Sequence, residues 1–268
     1  MSRTIQLTPR LRMVADLLPR DVVLVDVGTD HAYLPAVLLL EGKIRGAIAA
    51  DLRPGPLNRA RATVEEFGLE GKVKFCLCDG LAEISPREAD AVAIAGMGGE
   101  TIAAILAAAP WTRDMGTLLV LQPMSSMADL RGWLGTHGYR IEAEELSCEG
   151  DTLYTAMAVR AGEMGPMTDA ERWVGRNSPH PLRGKWLDQW LKRVERALSG
   201  MGQAREDRAA HRRVELERVR TGLLEMKREW QEWQMLWRST GPWTAGHPLK
   251  HRWTLTTPAF WWAGGSGQ

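Results

Sequence analysis

The amino-acid sequence predicts an open α/β sheet followed by a smaller helical domain. Five short apolar runs alternate with stretches of helical periodicity, which is typical of a doubly wound, mostly parallel sheet. Two further strand-like runs have no helix between them, and two later segments repeat an apolar residue every three or four positions. The length of 268 residues suits one large domain with a smaller partner.

The strand predictions rest on the apolar runs. VVLVDV at 22–27 is almost entirely apolar, as expected for a strand buried on both faces. The runs at 139–147 and 152–160 are joined only by CEGD, so they are interpreted as an antiparallel hairpin that closes the sheet. A seven-stranded sheet with this ending is the arrangement of class I methyltransferases, whereas an NAD-binding Rossmann domain normally continues with another parallel strand. The remaining strands are predicted at 46–52, 72–79, 90–97 and 116–123.

Two periodic segments in the second half predict an antiparallel coiled-coil hairpin. In each, apolar residues recur at alternating spacings of three and four, and glycines at 200 and 202 separate the two segments. The expected boundaries are a sheet domain over 1–160, the hairpin over 161–240 and a tail over 241–268 of unknown role. The seam residues are Leu187, Leu191, Val194, Leu198 and Met201, then Leu216, Val219, Leu223, Met226, Trp230, Trp233 and Trp237.

Charge is divided unevenly between the two halves. Residues 1–160 hold 16 lysines and arginines against 21 aspartates and glutamates, and residues 161–268 hold 18 against 12. Such asymmetry indicates nucleic-acid contact by the basic half, although a solvated helix with internal ion pairs has the same composition. Candidate RNA-contacting residues off the apolar seam are Arg205, Arg208, Arg212 and Arg213.

Other protein classes are disfavoured. No apolar run approaches the roughly 20 residues of a membrane span, and the N-terminus lacks a signal-peptide pattern. Cys76, Cys78 and Cys148 form no CxxC pair and leave an odd count, which argues against a disulfide framework and a structural zinc site. We therefore expect a cytoplasmic protein, without membrane or metal partners, and favour a monomer.

The candidate binding site begins where the first strand ends. Asp26 and Gly28 lie at this strand-to-helix turn, and the G-x-G-x-x-G fingerprint that holds a dinucleotide pyrophosphate is absent. S-adenosylmethionine has no phosphate, so a single glycine flanked by acids suits it better. Its amino group and sulfonium are cationic, and the carboxylates of Asp26 and Asp30 would complement them. A single turn of this kind is explained equally well as an ordinary βα loop that binds no ligand.

Three more strand ends support the same cofactor. Asp51 follows the second predicted strand, where a carboxylate can accept both ribose hydroxyls. Asp79 and Gly80 follow the third, where an acid can accept from the adenine amino group. Gly96 and Met97 lie in AGMGG, which ends the fourth, where a flexible loop can close over the methyl donor. Ligands of open α/β sheets bind at these carboxyl ends, so together they predict a pocket for S-adenosylmethionine.

Six short strings in the first 160 residues form a recognisable set. They are GTDHAYLP at 28–35, GP at 55–56, DGL at 79–81, IAGMGGETI at 94–102, LQP at 121–123 and LR-WL at 130–134. Together they resemble the bacterial TrmK family, whose members methylate N1 of the adenine at position 22, in the D-arm of tRNA. The resemblance is close over about 7–160 and holds for the hairpin, to about 238, in character more than in letters. It implies S-adenosylmethionine as cofactor, tRNA as partner and a hairpin that helps to hold the tRNA.

The sequence departs from the family at two positions. Members often carry Glu where this chain has Asp51, a change that preserves the ribose-binding chemistry. They commonly carry Asn where this chain has Met124, which puts a contact of that residue with the target base in doubt.

Adenine N1 already has a lone pair, so methyl transfer to it needs no obligatory general base, and the product is cationic. We expect catalysis by positioning and by electrostatics, with Asp30 stabilising the developing charge. His31 and Tyr33 are candidates for base contact, and Gln122 is a further candidate substrate contact. His31 could equally be a capping or pocket-lining imidazole, and Tyr33 a core residue.

Three other functions compete with this interpretation. A small-molecule or protein methyltransferase would share the cofactor pocket without needing a basic hairpin. A non-catalytic RNA-binding or assembly protein would bind no cofactor. An NAD-dependent dehydrogenase is disfavoured by the missing glycine fingerprint, and the absence of N-P-P-[YF] after the fourth strand argues against methylation of an exocyclic amine.

Overall fold

The computed structural model describes residues 5–201 and 207–240, and the chain divides into two compact units. The first unit comprises residues 1–141 and 145–165. The second comprises residues 142–144 and 166–268. Within residues 5–201 and 207–240, no helix is long and apolar enough to cross a membrane.

The first unit contains a seven-stranded sheet in the order β3-β2-β1-β4-β5-β7-β6. Strands β1 to β5 pair in parallel, and β7 runs antiparallel to β5, so the predicted fold class is confirmed. Strand order reverses at β1, which pairs with β2 on one side and β4 on the other, and this switch point creates a crevice at the carboxyl ends. The strands are β1 Val23–Val27, β2 Gly46–Asp51, β3 Val73–Leu77, β4 Ala91–Gly98, β5 Leu118–Ser125, β6 Tyr139–Glu149 and β7 Thr152–Ala161.

The described part of this unit contains six α-helices, and the start of two of them is explained by their first residues. Pro9 begins α1, where its missing N–H costs nothing, and the Thr8 hydroxyl accepts a hydrogen bond from the Leu11 amide. Pro54 begins α3 in the same way. Strands β1 and β2 bury nearly every residue, and β4 and β5 bury their first four and first six residues, as the apolar runs predict. The helices are α1 Pro9–Leu17, α2 Tyr33–Leu40, α3 Pro54–Glu66, α4 Gly99–Ala108, α5 Trp111–Asp114 and α6 Met127–Thr136, and a 3-10 turn spans Pro86–Glu88.

Strand β4 matches the predicted bounds of 90–97 to within one residue at each end. Its glycine-rich end was also expected to be a flexible loop, but it remains part of the strand as far as Gly98. Its register against β5 shifts on either side of Met97, so this stretch is an irregular strand that bulges while staying paired. Strand β3 ends at Leu77, which leaves Asp79 two residues beyond it.

Apart from residues 142–144 of β6, the described part of the second unit contains three helices: α7 Asp169–Val174, α8 Arg183–Gly200 and α9 Asp207–Thr240. Two ion pairs show that α8 and α9 run antiparallel. Lys227 pairs with Asp188, whereas Arg220, which comes earlier on α9, pairs with Glu195, which comes later on α8. Most of the predicted seam is buried, and the half-buried members are Leu198, Met201 and Trp230. The side chain of Trp237 lies outside the described residues. The buried seam residues are Leu187, Leu191, Val194, Leu216, Val219, Leu223, Met226 and Trp233.

Candidate cofactor and substrate site

Asp26 is a buried carboxyl group in the middle of the sheet. It is 5% exposed, and the Thr29 hydroxyl donates a hydrogen bond of 2.6 Å to its Oδ2. Burial raises the pKa of Asp26 to about 6, against the opposing effect of the Thr29 hydrogen bond, and the nearby charge of Asp51 adds to the rise. Because the Thr29 hydroxyl is neutral, this hydrogen bond does not balance the negative charge of the ionised Asp26 carboxylate. A positively charged ligand group would complement it.

Gly28 brings three strand ends together. Its backbone is left-handed, with φ of 72°, and its amide donates to the carbonyl of Ala50 at 2.8 Å. A Cβ at this position would overlap the terminal methyl group of Met97, which comes from β4. Glycine is therefore required for both backbone conformation and close approach. The predicted residues Asp26, Gly28 and Met97 lie together.

Asp51 and Asp79 follow neighbouring strands. Asp51 is 9% exposed, and its Oδ1 accepts from the Arg53 amide at 2.9 Å. Asp79 is exposed, and the following Gly80 has a left-handed φ of 56° and packs against Ile105. Sequence reasoning missed the apolar surface beside them. Leu52 and Leu77 are 64% and 57% exposed, so a flat apolar ring can pack there with a carboxylate at either side.

Asp30, His31 and Tyr33 form a second group on the turn after β1. Arg59 of α3 donates to Asp30 Oδ1 through Nε at 3.2 Å and also through Nη2. The other carboxylate oxygen, Oδ2, lies 3.7 Å from His31 Nε2, which is beyond hydrogen-bond distance. The His31 and Tyr33 rings stack with centroids 5.0 Å apart, and Tyr33 is 42% exposed. The turn thus presents a stacking surface beside an anchored carboxylate.

Gln122 lies within β5 and is fully buried. Its Oε1 accepts from Arg10 Nη1 at 2.8 Å and from the Gly96 amide at 3.0 Å, and its Nε2 donates to the Pro123 carbonyl at 3.0 Å. These bonds hold Gln122 within the protein, and its role as a substrate contact stays a prediction. Met124, two residues later, is 48% exposed.

The candidate arginines of the hairpin are only partly described. Arg205 and the side chain of Arg208 lie outside the described residues. Arg212 pairs with Glu215 at 2.7 Å and its guanidinium lies 5.3 Å from the centre of the Trp173 ring. Arg213 pairs with Glu217 at 3.0 Å. Both arginines are about half exposed, so these are surface ion pairs spaced one helical turn apart.

Three functional candidates escaped sequence reasoning. Thr29 could have been found, because a hydroxyl three residues after Asp26 is within reach of it on the same turn. Arg59 and Arg10 could not, since their partners lie 29 and 112 positions away. Within 5–201 and 207–240, no group of three or more His, Cys, Asp or Glu side chains is arranged to hold a metal ion.

Comparison with known proteins identifies the fold and its relatives. A family model described as a methyltransferase domain matches residues 7–157. The tRNA (adenine(22)-N(1))-methyltransferase of Bacillus subtilis (strain 168) is 38% identical over 200 residues, which is 73% of this chain and 84% of that enzyme.

Two solved structures are similar over most of this chain. Sp1610 of Streptococcus pneumoniae in complex with S-adenosyl-L-methionine is 32% identical with a TM-score of 0.70, over 83% of this chain and all of that one. TrmK of M. capricolum in complex with S-adenosyl-homocysteine is 27% identical with a TM-score of 0.69, over 81% of this chain and 97% of that one. The family model covers more than half of the chain, and the Bacillus subtilis enzyme is matched over most of its length. The chain therefore belongs to the TrmK family of S-adenosylmethionine-dependent methyltransferases.

Proposed function

We propose that this protein transfers a methyl group from S-adenosylmethionine to N1 of the adenine at position 22, in the D-arm of tRNA. The observation that carries the proposal is the 38% identity to the Bacillus subtilis tRNA (adenine(22)-N(1))-methyltransferase over 84% of that enzyme. The acidic residues at the strand ends around Gly28 support the same chemistry independently of that sequence identity.

The described residues fit the cofactor. Asp26 is a buried carboxylate that accepts a hydrogen bond from the neutral Thr29 hydroxyl, and it suits a cationic amino group. Asp51 has one oxygen bonded to the Arg53 amide, and its other oxygen can accept from a ribose. Asp79, with the exposed Leu52 and Leu77, suits an adenine ring and its amino group. Gly28, Gly80, Gly96 and Met97 would complete the binding surface. When bound, S-adenosylmethionine supplies a methyl group attached to a positively charged sulfur.

The protein's own contribution is positioning and charge. Asp30 offers a carboxylate whose Oδ1 is anchored by Arg59, so Oδ2 can face the cation that develops on the adenine. The stacked His31 and Tyr33 rings offer an aromatic surface on which a base can lie. A paired adenine has N1 on its Watson–Crick edge, so it must leave its stack before it can reach this surface.

The helical hairpin would help to hold the tRNA. Arg205, Arg208, Arg212 and Arg213 are the proposed phosphate contacts. Arg212 and Arg213 already pair with glutamates, but exposed pairs of this kind contribute less than about 1 kcal/mol. A phosphate can therefore replace the glutamate at little cost. Since the proposed substrate is tRNA, we place the protein in the cytoplasm, and we propose that it acts as a monomer.

The test is methylation of unmodified tRNA transcripts with radiolabelled S-adenosylmethionine, followed by mapping of the modified nucleotide. Incorporation at adenine 22 as 1-methyladenine is expected, and a transcript with guanine at position 22 should accept no label. Undiminished incorporation into that transcript would show a different target. Cofactor binding without tRNA methylation would favour a small-molecule or protein substrate, and no cofactor binding would favour a non-catalytic protein.

A further inference from the structure

Two arginines on α1, two positions apart, have very different partners. Arg12 forms two hydrogen bonds with Glu41, Nη1 to Oε2 at 3.1 Å and Nη2 to Oε1 at 2.7 Å, and both side chains are more than a third exposed. Arg10 instead donates from Nη1 to Oε1 of the buried Gln122 at 2.8 Å. Arg12 ties two surface helices together, whereas Arg10 reaches into the sheet.

Arg10 is anchored at both ends. Its backbone amide donates to Glu149 Oε1 at 2.8 Å, and its guanidinium carbon lies 5.8 Å from the centre of the Tyr154 ring. These contacts come from β6 and β7, while Gln122 belongs to β5. The guanidinium is therefore held at a defined position relative to three strands of the same sheet.

Gln122 relays this position to β4. Its Oε1 accepts both the Arg10 bond and the bond of 3.0 Å from the Gly96 amide. Gly96 has a left-handed φ of 80° inside the irregular part of β4, where the register against β5 shifts. The amide of Gly96 bonds to a side chain, so the backbone conformation here depends on where Gln122 Oε1 lies.

The next residue, Met97, touches the candidate cofactor turn. Its terminal methyl group occupies the space that a Cβ at Gly28 would need. A displacement of the Gly96 backbone would move Met97 against or away from Gly28. The contacts thus run from Arg10 through Gln122 and Gly96 to Met97 and Gly28.

We propose that Arg10 is a positioning residue for methyl transfer, which through Gln122 fixes the backbone of Gly96 and Met97 against the turn at Gly28. This inference rests on the proposed function and adds a residue to it. A charged donor on a buried amide oxygen makes a stronger and shorter hydrogen bond than a neutral one. Displacements of about 1 Å near reacting atoms can lower a rate by roughly 100-fold, so this bond matters for turnover.

The test compares Arg10→Gln with Arg12→Gln, which removes an arginine from the same helix without touching Gln122. Amide hydrogen exchange over residues 94–99, followed by mass spectrometry, should become several-fold faster in Arg10→Gln and stay unchanged in Arg12→Gln. With tRNA as substrate, kcat of Arg10→Gln should fall by about 10- to 100-fold, while KM for tRNA and Kd for S-adenosylmethionine change by less than about threefold.

Arg10→Lys provides the rescue. Its ammonium group can still donate one hydrogen bond to Gln122 Oε1, so it should recover most of the lost kcat and exchange protection, even if Arg10→Gln proves unstable. Equal losses in Arg12→Gln, or unchanged exchange and kcat in Arg10→Gln, would overturn the proposal. A rise confined to KM for tRNA would overturn it too, because Arg10 would then be a substrate contact. If the parent fails to methylate tRNA, the proposed function fails, and the exchange comparison still decides whether Arg10 controls this segment.

Discussion

The two units hold their charged side chains in opposite ways. In the first unit, Asp26 and Asp51 are buried at neighbouring strand ends, and burial raises the pKa of Asp26 to about 6. In the helical unit, Arg212 and Arg213 are half exposed, with glutamates one turn away. Charges interact strongly where water is excluded and weakly where it is not. The net charge of each half is therefore a poor guide to how strongly that half binds a ligand.

This contrast sets the expected order of mutational effects. Replacing an acid at the carboxyl edge of the sheet should change turnover or cofactor affinity by one or more orders of magnitude. Replacing arginines on the hairpin should change tRNA affinity only moderately.

The largest effect is expected for Asp30→Asn. If the Asp30 carboxylate faces the developing cation as proposed, its loss should lower kcat by about 10- to 1000-fold, with little change in Kd for S-adenosylmethionine. Single-turnover methylation and titration calorimetry measure the two quantities separately. Retained turnover with weakened cofactor binding would instead assign Asp30 to the cofactor.

Asp51→Ala should act on cofactor binding. Loss of charge-assisted hydrogen bonds to the ribose is expected to weaken binding by about 1.5–3 kcal/mol, which is roughly 10- to 150-fold in Kd. Titration calorimetry checks this, with Asp114→Ala as a control for loss of an acid, because Asp114 pairs with Arg113 on the surface. An unchanged Kd for Asp51→Ala would contradict the assigned pocket.

Binding of the cofactor should depend on pH through Asp26. Its pKa in the folded protein is about 6, so the ionised form that a cationic ligand needs is lost as pH falls through 6. The affinity for S-adenosylmethionine should fall by about tenfold between pH 7.5 and pH 5, because Asp26 of the free protein is protonated at pH 5 and binding must release that proton to the buffer. Calorimetry in buffers of different ionisation enthalpy measures both.

The same carboxyl group predicts a sign for stability. Between pH 4 and 6 the folded protein binds a proton at Asp26 that the unfolded chain, with an ordinary pKa of 3.8, releases. The contribution of Asp26 to the free energy of unfolding should therefore rise as pH falls through this window. Asp26→Asn should remove this contribution and the pH dependence of cofactor binding. Persistence of both in the variant would exclude Asp26 as their source.

The smallest effect is expected on the hairpin. Changing Arg205, Arg208, Arg212 and Arg213 together to Gln should weaken tRNA binding by about three- to tenfold at moderate salt. It should also make the salt dependence shallower, by somewhat less than one unit for each lost phosphate contact. Cofactor binding should be intact, and circular dichroism confirms the helices.

A matched variant separates phosphate contacts from structural ion pairs. Glu215→Gln with Glu217→Gln frees Arg212 and Arg213 from their partners, so tRNA binding should tighten by about two- to threefold if these arginines contact phosphates. Equal tRNA affinity in the parent, the variant with the four arginines replaced and the variant with Glu215 and Glu217 replaced would show that the hairpin arginines only stabilise the helices.

Sequence patterns predicted the elements better than their long-range contacts. The strands were predictable because β1, β2, β4 and β5 are buried on both faces and leave uninterrupted apolar runs. The hairpin was predictable because its seam repeats regularly. The positions of Asp26 and Gly28 at the end of β1 were predictable because a strand end is a local signal.

The pairs Arg59–Asp30 and Arg10–Gln122 had no such signal, because they depend on how distant elements pack. The glycine-rich end of β4 was interpreted as a loop for a related reason. Glycine is read locally as conformational freedom, but here β5 and the Gln122 side chain supply hydrogen bonds that keep the stretch in the sheet.

Left-handed backbone at non-glycine residues marks the same edge of the sheet without reference to charge. Among the described residues these are Asp21, Asp30, Ala32 and Ser126, and the last three follow β1 or β5. Each such conformation destabilises folding by on the order of 1 kcal/mol. Ala32→Gly would relieve this strain but would also let Asp30 and His31 explore more orientations. Heat tolerance and turnover thus place opposing demands on this turn, and a more thermostable variant obtained there would be a slower enzyme.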